Sequence, residues 1–173
     1  MSETSISKQS RRVILSGYFF YTGICFASWA SRIPDIKLAL GLTDAQFGGM
    51  LLFLPLGSFL GIPISGSLTA RHGSNKMLKI ASILYPLSLV NIGWAANTSV
   101  IHLGLALFIF GMIGNLFNVS VNTQAVELAK LFEKSIISSF HGFWSLAGFV
   151  GGLVGSYFIA ASLTPMMQFI LML

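Results

Sequence analysis

Long apolar runs separated by short polar segments are the feature that most constrains this chain of 173 residues. Five of the runs are long enough to cross a bilayer as helices, which takes about 20 residues each. The chain is 54% hydrophobic and 9% charged, whereas soluble domains contain about 25% charged residues. A soluble fold could not bury so much apolar surface. We therefore predict an all-α membrane protein whose main partner is the lipid bilayer.

The apolar runs also predict the order of the spans. A polar tail covers residues 1–12, and we expect it to be cytoplasmic. Complete spans are predicted at residues 13–31, 46–69, 77–96, 101–122 and 137–161. Residues 165–173 are apolar but too few to cross a bilayer. We therefore expect a bundle of five complete transmembrane helices plus the start of a sixth, with the chain ending inside that helix.

Local signals within the second span predict how it begins and how it packs. Thr43 and Gln46 have the spacing of a capping box, so a helix should start there. Gly57 and Gly61 form a small-xxx-small face that allows a close helix neighbour. Pro55 and Pro63 should each kink the helix.

Basic residues are distributed unevenly between the two sides that these spans define. Arg32 and Lys37 fall on one side. The other eight fall on the opposite side: Lys8, Arg11, Arg12, Arg71, Lys76, Lys79, Lys130 and Lys134. The positive-inside rule then predicts a cytoplasmic N-terminus. Despite a net charge of +5, the cations form no continuous basic face, so we expect no nucleic-acid partner.

The turn after the second span carries a recognisable pattern. It reads Gly66-Ser-Leu68-Thr-Ala70-Arg71-His-Gly73-Ser-Asn-Lys. Gly66, Leu68, Arg71 and Gly73 resemble the conformational-latch signature of the major facilitator superfamily. Ala70 stands where that signature has an aspartate, so its charge relay is not expected in the same form.

The resemblance implies a secondary transporter built from two six-helix halves that works by alternating access. Residues 13–173 would be the N-terminal transmembrane domain, and the C-terminal half would be absent from this chain. The cargo implied is a small polar solute, with a sugar as one candidate, coupled to an ion or to protons in symport. Residues 31–37 and 139–146 resemble, more specifically, a branch of bacterial inner-membrane permeases. That branch is distantly similar to the fucose–proton symporters. The implied location is the bacterial inner membrane.

Polar residues inside the spans are the candidate substrate-binding residues, because a solute needs new hydrogen bonds when it leaves water. Asn115, Asn118 and Asn122 have spacings of three and four, which place them on one face of the fourth span. Their amides could bind sugar-like hydroxyls. The alternative is that they hydrogen-bond neighbouring helices.

Three further residues are candidates with structural alternatives. His141, at the start of the fifth span, titrates near neutral pH and could couple transport to protons, or it could simply pack between helices. Tyr21 could line a cavity or anchor the helix at the interface. Arg32 could contact a substrate or pair with Asp35 to fix the outer loop.

The five acidic residues all lie outside the middle of the predicted spans. The embedded carboxylates of fucose–proton symporters therefore have no counterpart in these spans. Drug-efflux members of the superfamily carry a glycine pattern in the fifth span that ends in Gly-Pro-x-x-Gly-Gly, and Ser156 replaces its proline. Efflux is therefore the less favoured direction. We expect the glycines of this span to form a close-packing surface: Gly148, Gly151, Gly152 and Gly155.

Nothing in the sequence indicates an enzyme. His72, His102 and His141 have no cysteine or carboxylate at metal-ligand spacing, so we expect no metal and no cofactor. The alternative to a transporter is a truncated membrane protein that transports nothing by itself.

Overall fold

The computed structural model describes residues 7–173, and these form a helical bundle. The helices are α1 (Lys8–Ser31), α2 (Ile33–Ala39), α3 (Asp44–Leu51), α4 (Phe53–His72), α5 (Ser74–Ala95), α6 (Val100–Ala129), α7 (Ile137–Ala160) and α8 (Pro165–Leu171). Five segments are long and apolar enough to span a membrane: α1, α3 with α4, α5, α6 and α7. The predicted all-α membrane fold is confirmed.

Hydroxyl side chains begin several of these helices. The Ser7 and Ser99 hydroxyls accept hydrogen bonds from the amides of Ser10 and His102, at 3.1 and 3.2 Å. The predicted capping box at Thr43 and Gln46 is confirmed, because each side chain hydrogen-bonds the backbone amide of the other residue. These caps satisfy amides that lack partners in the first helical turn.

The second span is divided into α3 and α4 at Leu52. Pro55 accounts for the division, since it has no N–H to donate to the carbonyl of Leu51, four residues earlier. The expected kink at Pro55 is therefore a break one turn before the proline, whereas Pro63 lies inside α4, which continues through it to His72. Gly73 separates α4 from α5 with φ of +84°, a conformation that favours glycine.

Two helices extend further than the apolar runs indicated. α1 begins at Lys8 rather than at residue 13, and α6 continues to Ala129 rather than ending at residue 122. Hydropathy detects only the apolar part of a helix, whereas the cap at Ser7 and good helix formers continue it into the polar region. Residues 1–6 of the predicted tail lie outside the described part of the chain.

Glycines allow the helices to pack in two close pairs, α1 with α7 and α4 with α6. In the first pair, a methyl group at Gly23 would lie 2.6 Å from the Trp144 carbonyl oxygen, and one at Gly151 would lie 2.6 Å from Ala27 Cβ. In the second pair, Gly57 is pressed against the backbone of Phe108. Close helix packing of this kind drives association in lipid.

The predicted packing surface on α7 is only half right. Gly151 and Gly155 contact α1, but a methyl group at Gly148 or Gly152 would meet nothing within 4 Å. The four glycines lie within an arc of about 100° around the helix, and α1 contacts only the side of that arc that carries Gly151 and Gly155. Large apolar side chains cover the outward faces of the bundle, as a lipid environment requires: Phe59, Ile83 and Phe149 are 68%, 63% and 67% exposed.

One end of the bundle gathers the helix ends that carry eight of the ten basic residues. Contacts define this end. Arg12 donates to the Ser139 hydroxyl at 3.2 Å, and Gln124 donates to the Ser74 hydroxyl at 2.6 Å. The Lys8 ammonium lies 5.3 Å from the centre of the Phe132 ring. Eight basic residues therefore lie at one end of the bundle, as the alternation of the predicted spans indicated.

Adjacent glycines on α7 provide a matched test of the helix packing. Gly151→Ala should lower the free energy of unfolding by about 1–3 kcal/mol, because its methyl group would overlap Ala27. Gly152→Ala should be neutral or slightly stabilising, since that position is open. Thermal unfolding of the two purified variants in detergent measures the difference, and equal stabilities would contradict the packing described.

Candidate functional site

A cavity of about 350 Å³ lies between α1, α4, α5, α6 and α7. Its wall combines aromatic rings with small polar groups. The lining residues are Phe19, Thr22, Phe26, Leu54, Ser58, Tyr85, Phe110, Gly111, Gly114, Asn115, Asn118, Val121, His141 and Trp144. The volume lies within the range typical of small-molecule sites, about 300–1,000 Å³.

The chemistry of this wall is polar but uncharged. None of the described residues that line it is an aspartate, glutamate, lysine or arginine. Hydrogen-bonding groups come from opposite sides: Thr22 on α1, Asn115 and Asn118 on α6, and His141 on α7. Aromatic rings such as those of Phe26 and Trp144 lie between them. Such a site can bind a neutral molecule that has both hydrogen-bonding groups and an apolar face.

Asn115 and Asn118 both line the cavity, as their placement on one helical face predicted. The Asn115 Oδ1 atom is buried and has no hydrogen-bond partner among residues 7–173. Arg32 Nη2 and Gln168 Nε2, outside the cavity lining, are buried and unpaired in the same way.

Asn122 is not among the lining residues. Its Nδ2 donates to the Asn118 backbone oxygen at 2.9 Å and also to Asn118 Oδ1. The three asparagines therefore share a stripe but differ in what they contact, because Asn122 lies one turn beyond the cavity.

His141 lines the same cavity as the asparagines and is exposed rather than enclosed between helices. Its ring packs edge-on against Phe19, with centroids 5.4 Å apart. It is the one histidine among the described residues that line the cavity.

Tyr21 is separate from this cavity. Its hydroxyl donates to the Ser82 carbonyl at 3.3 Å, and it lies in an outer groove between α1 and α5 together with Tyr18. Tyr21 therefore ties α1 to α5 and lines this groove, not the cavity that holds the asparagines.

Arg32 is also separate from the cavity and is 1% exposed. Its Nε donates to Gln168 Oε1 at 2.5 Å, and its Nη1 pairs with Asp35 Oδ2 at 2.6 Å. These contacts join the end of α1 to α2 and α8. They favour the structural alternative, in which Arg32 fixes the outer loop.

The residues of the latch signature lie at the basic end of the bundle. Gly66, Leu68 and Arg71 are in the last turns of α4, and Gly73 forms the turn that follows. Uncharged hydrogen bonds surround this turn: Thr69 contacts Ser120 at 3.4 Å, and Ser74 accepts from Gln124. These hydrogen bonds join α4 and α5 to α6 close to Ala70, the position at which the superfamily signature has an aspartate.

Sequence reasoning missed much of the cavity wall. Thr22, Ser58, Tyr85 and Trp144 line it, but each lies on a different helix. The only available signal was the spacing of three between His141 and Trp144, which puts them on one face of α7. Among residues 7–173, no group of three or more histidine, cysteine, aspartate or glutamate side chains could hold a metal ion.

Among the relatives that comparisons with known proteins found, two are named as transporters and one as a membrane protein. The chain is 35% identical over 147 residues to an uncharacterised transporter of Sinorhizobium fredii and 34% identical over 148 residues to an uncharacterised MFS-type transporter of Yersinia pestis. It is 32% identical over 151 residues to the membrane protein MosC of Rhizobium meliloti. These matches cover 84–86% of this chain but only 37–38% of each relative. No family profile and no solved structure matches the chain.

The contacts of Arg32 lead to a stability test. Arg32→Ala should lower the free energy of unfolding by about 1–3 kcal/mol, because it removes the buried guanidinium that pairs with the 33% exposed Asp35 and leaves Gln168 Oε1 without its donor. Lys37→Ala is the control, since its pair with Asp44 is exposed to solvent. Thermal unfolding in detergent should show a large effect for Arg32 alone, and similar melting temperatures for the two variants would contradict the structural role.

Proposed function

We propose that this chain is part of a secondary transporter of the major facilitator superfamily. The relatives named as transporters and the Gly66–Gly73 turn support this assignment. The five membrane-spanning segments agree with it. Transporter relatives also argue against an enzyme.

The uncharged cavity is the observation that carries the proposed cargo, a small neutral polar solute such as a sugar. Its asparagine, threonine and serine side chains can replace the hydrogen bonds that hydroxyls make with water. Its aromatic rings can cover the apolar face of a sugar ring. A charged solute would find no opposite charge among the described lining residues.

Alternating access requires more protein than this chain. The chain spans about 38% of the first relative's length, and we propose that the remaining part of a longer protein closes the cavity from the opposite side. Transport would then follow from the rocking of two halves about a central solute. The hydrogen bonds around Gly73 would hold the basic ends of α4, α5 and α6 together during that movement.

His141 is the proposed coupling residue if transport uses protons. It lines the cavity together with the asparagines, and the described lining residues include no carboxylate. Protonation of its ring would place a positive charge beside the solute. We further propose that the N-terminus is cytoplasmic in the bacterial inner membrane, because the basic end of the bundle should face the cytoplasm.

Uptake into vesicles tests the proposed cargo. The full-length protein that contains this chain should take up labelled neutral sugars, and a pH gradient should accelerate uptake if protons are coupled. Asn118→Ala should weaken the apparent affinity about tenfold, because it removes a hydrogen bond to the solute. The control is Asn97→Ala, which removes an amide that contacts only the Gly93 carbonyl at the outer turn.

Two results would count against these proposals. Unchanged affinity in the Asn118 variant would assign that residue to packing. Uptake that does not depend on the pH gradient would exclude proton coupling. It would not contradict the proposed cargo.

Cysteine labelling tests the orientation. The background is Cys25→Ala, which removes the natural cysteine. Thr98→Cys, in the turn between α5 and α6, should react with a membrane-impermeant maleimide in intact cells. Ser135→Cys, between α6 and α7, should react only after the cells are permeabilised. The reverse pattern would place the N-terminus outside.

A further inference from the structure

The contacts of α8 with α1 define the direction in which α8 runs. Arg32 Nε donates to Gln168 Oε1 at 2.5 Å, and the Ser28 hydroxyl lies 2.8 Å from Met172 Sδ. Ser28 lies one turn before Arg32, whereas Met172 lies one turn after Gln168, so the two helices are antiparallel. α8 therefore leads from the outer end of the bundle towards its basic end.

α8 also packs on α5. A methyl group at Gly93 would lie 2.9 Å from the Met166 Cα atom and from a ring carbon of Phe169. α5 begins at Ser74, at the basic end, and runs to the outer end, so it too is antiparallel to α8. The end of α8 therefore points along the boundary between α1 and α5.

The outer groove between α1 and α5 lies further along this boundary. Its lining residues are Ile14, Gly17, Tyr18, Tyr21 and Ser82. A methyl group at Gly17 would meet nothing within 4 Å, and Ile14 is 53% exposed. The groove is therefore a helix-lined surface that no described residue covers.

The polar groups of α5 in this groove are already paired. Pro86 has no N–H, so the Ser82 carbonyl, four residues earlier, lacks its helical donor. The Tyr21 hydroxyl donates to that carbonyl at 3.3 Å, and the Ser82 hydroxyl donates to the Lys79 carbonyl at 2.8 Å. An apolar helix in the groove would leave neither group of Ser82 unpaired, as membrane depth requires.

The register of α8 on α1 shows where a continuation of α8 would lie. Tyr21 is 11 residues before Arg32, so an antiparallel helix reaches it about 11 residues after Gln168, near position 179. By the same register it reaches Ile14 near position 186. A helix from Pro165 to that point has about 22 residues, enough to cross a bilayer.

The register of α8 on α5 gives an independent value. Ser82 is 11 residues before Gly93, so the same helix reaches it about 11 residues after Met166, near position 177. Ser82 and Tyr21 are hydrogen-bonded to each other. The two registers therefore bring the continuation to one point of the groove with a difference of less than one helical turn.

We propose that the outer groove is the docking site of the segment that follows Leu173 in the longer protein, and that this segment continues α8 as one helix to about position 186. The inference rests on the proposed function, which makes this chain part of a longer transporter. The matched relatives are long enough to supply such a segment, since the matches cover only 37–38% of each.

Disulfide cross-linking in the full-length protein tests this docking site. The background carries Cys25→Ala and lacks every other cysteine, and a protease site in the turn between α5 and α6 allows the chain to be cut there. Gly17→Cys is combined with single cysteines at about positions 181–185, and Ser82→Cys with single cysteines at about positions 175–179. Membranes are oxidised, and the protein is cleaved and run on a non-reducing gel.

Oxidation should keep the two fragments together for at least one position in each series, because a disulfide needs Cα atoms within about 7 Å. The controls are Ser16→Cys, which is 7% exposed and buried in the bundle, and Ile80→Cys, which is 38% exposed outside the groove lining. With the same partner positions, the controls should give roughly fivefold less joined product, because their side chains point away from the groove.

The uncleaved samples and an uptake measurement separate the alternatives. Joined fragments in both series, with weak controls and a monomeric uncleaved protein, would support the inference. Any other pattern would overturn it: disulfide-linked dimers would assign the groove to a second copy, and no product in either series would leave it to lipid. Solute uptake by the background protein is measured separately, so a failed docking site and a failed transport function are distinguishable.

Discussion

Close contact between helix backbones is the constraint on which the other features of this bundle depend. In a bilayer, apolar side chains gain little by leaving lipid for protein, so helices must associate through tight packing and hydrogen bonds. Gly23 and Gly151 permit this between α1 and α7, and Gly57 and Gly111 permit it between α4 and α6. Residues of both pairs line the cavity, among them Gly111 at the contact of α6 with α4.

The hydrogen bonds of the bundle reinforce different parts of it. At the outer end, Arg32 links α1, α2 and α8 through Asp35 and Gln168. At the basic end, hydroxyl and amide groups link α4, α5 and α6 around Gly73. The cavity is lined between these two ends by polar side chains such as Thr22, Asn115 and Asn118.

The membrane fold was predictable from the sequence, but only part of the candidate site was. Runs of apolar residues and the capping box at Thr43 identify helices because both are local signals. Asn115 and Asn118 could be found because they share one helix. Tyr85, Ser58 and Trp144 could not be assigned to the wall, because their proximity depends on how helices rotate against each other. Arg32 was ambiguous for the same reason, since Gln168 is 136 residues away.

The pairing of α1 with α7 also has a consequence for how the protein is made. Arg12 and Ser139, which meet in the finished bundle, are 127 residues apart. At a translation rate of about 5–20 residues per second, α1 would wait roughly 6–25 s for its partner to leave the ribosome. α4 and α6 meet sooner, since Thr69 and Ser120 are separated by 51 residues. The second pair can therefore assemble first. Until synthesis reaches α7, the side of α1 that carries Gly23 remains against lipid or the insertion machinery.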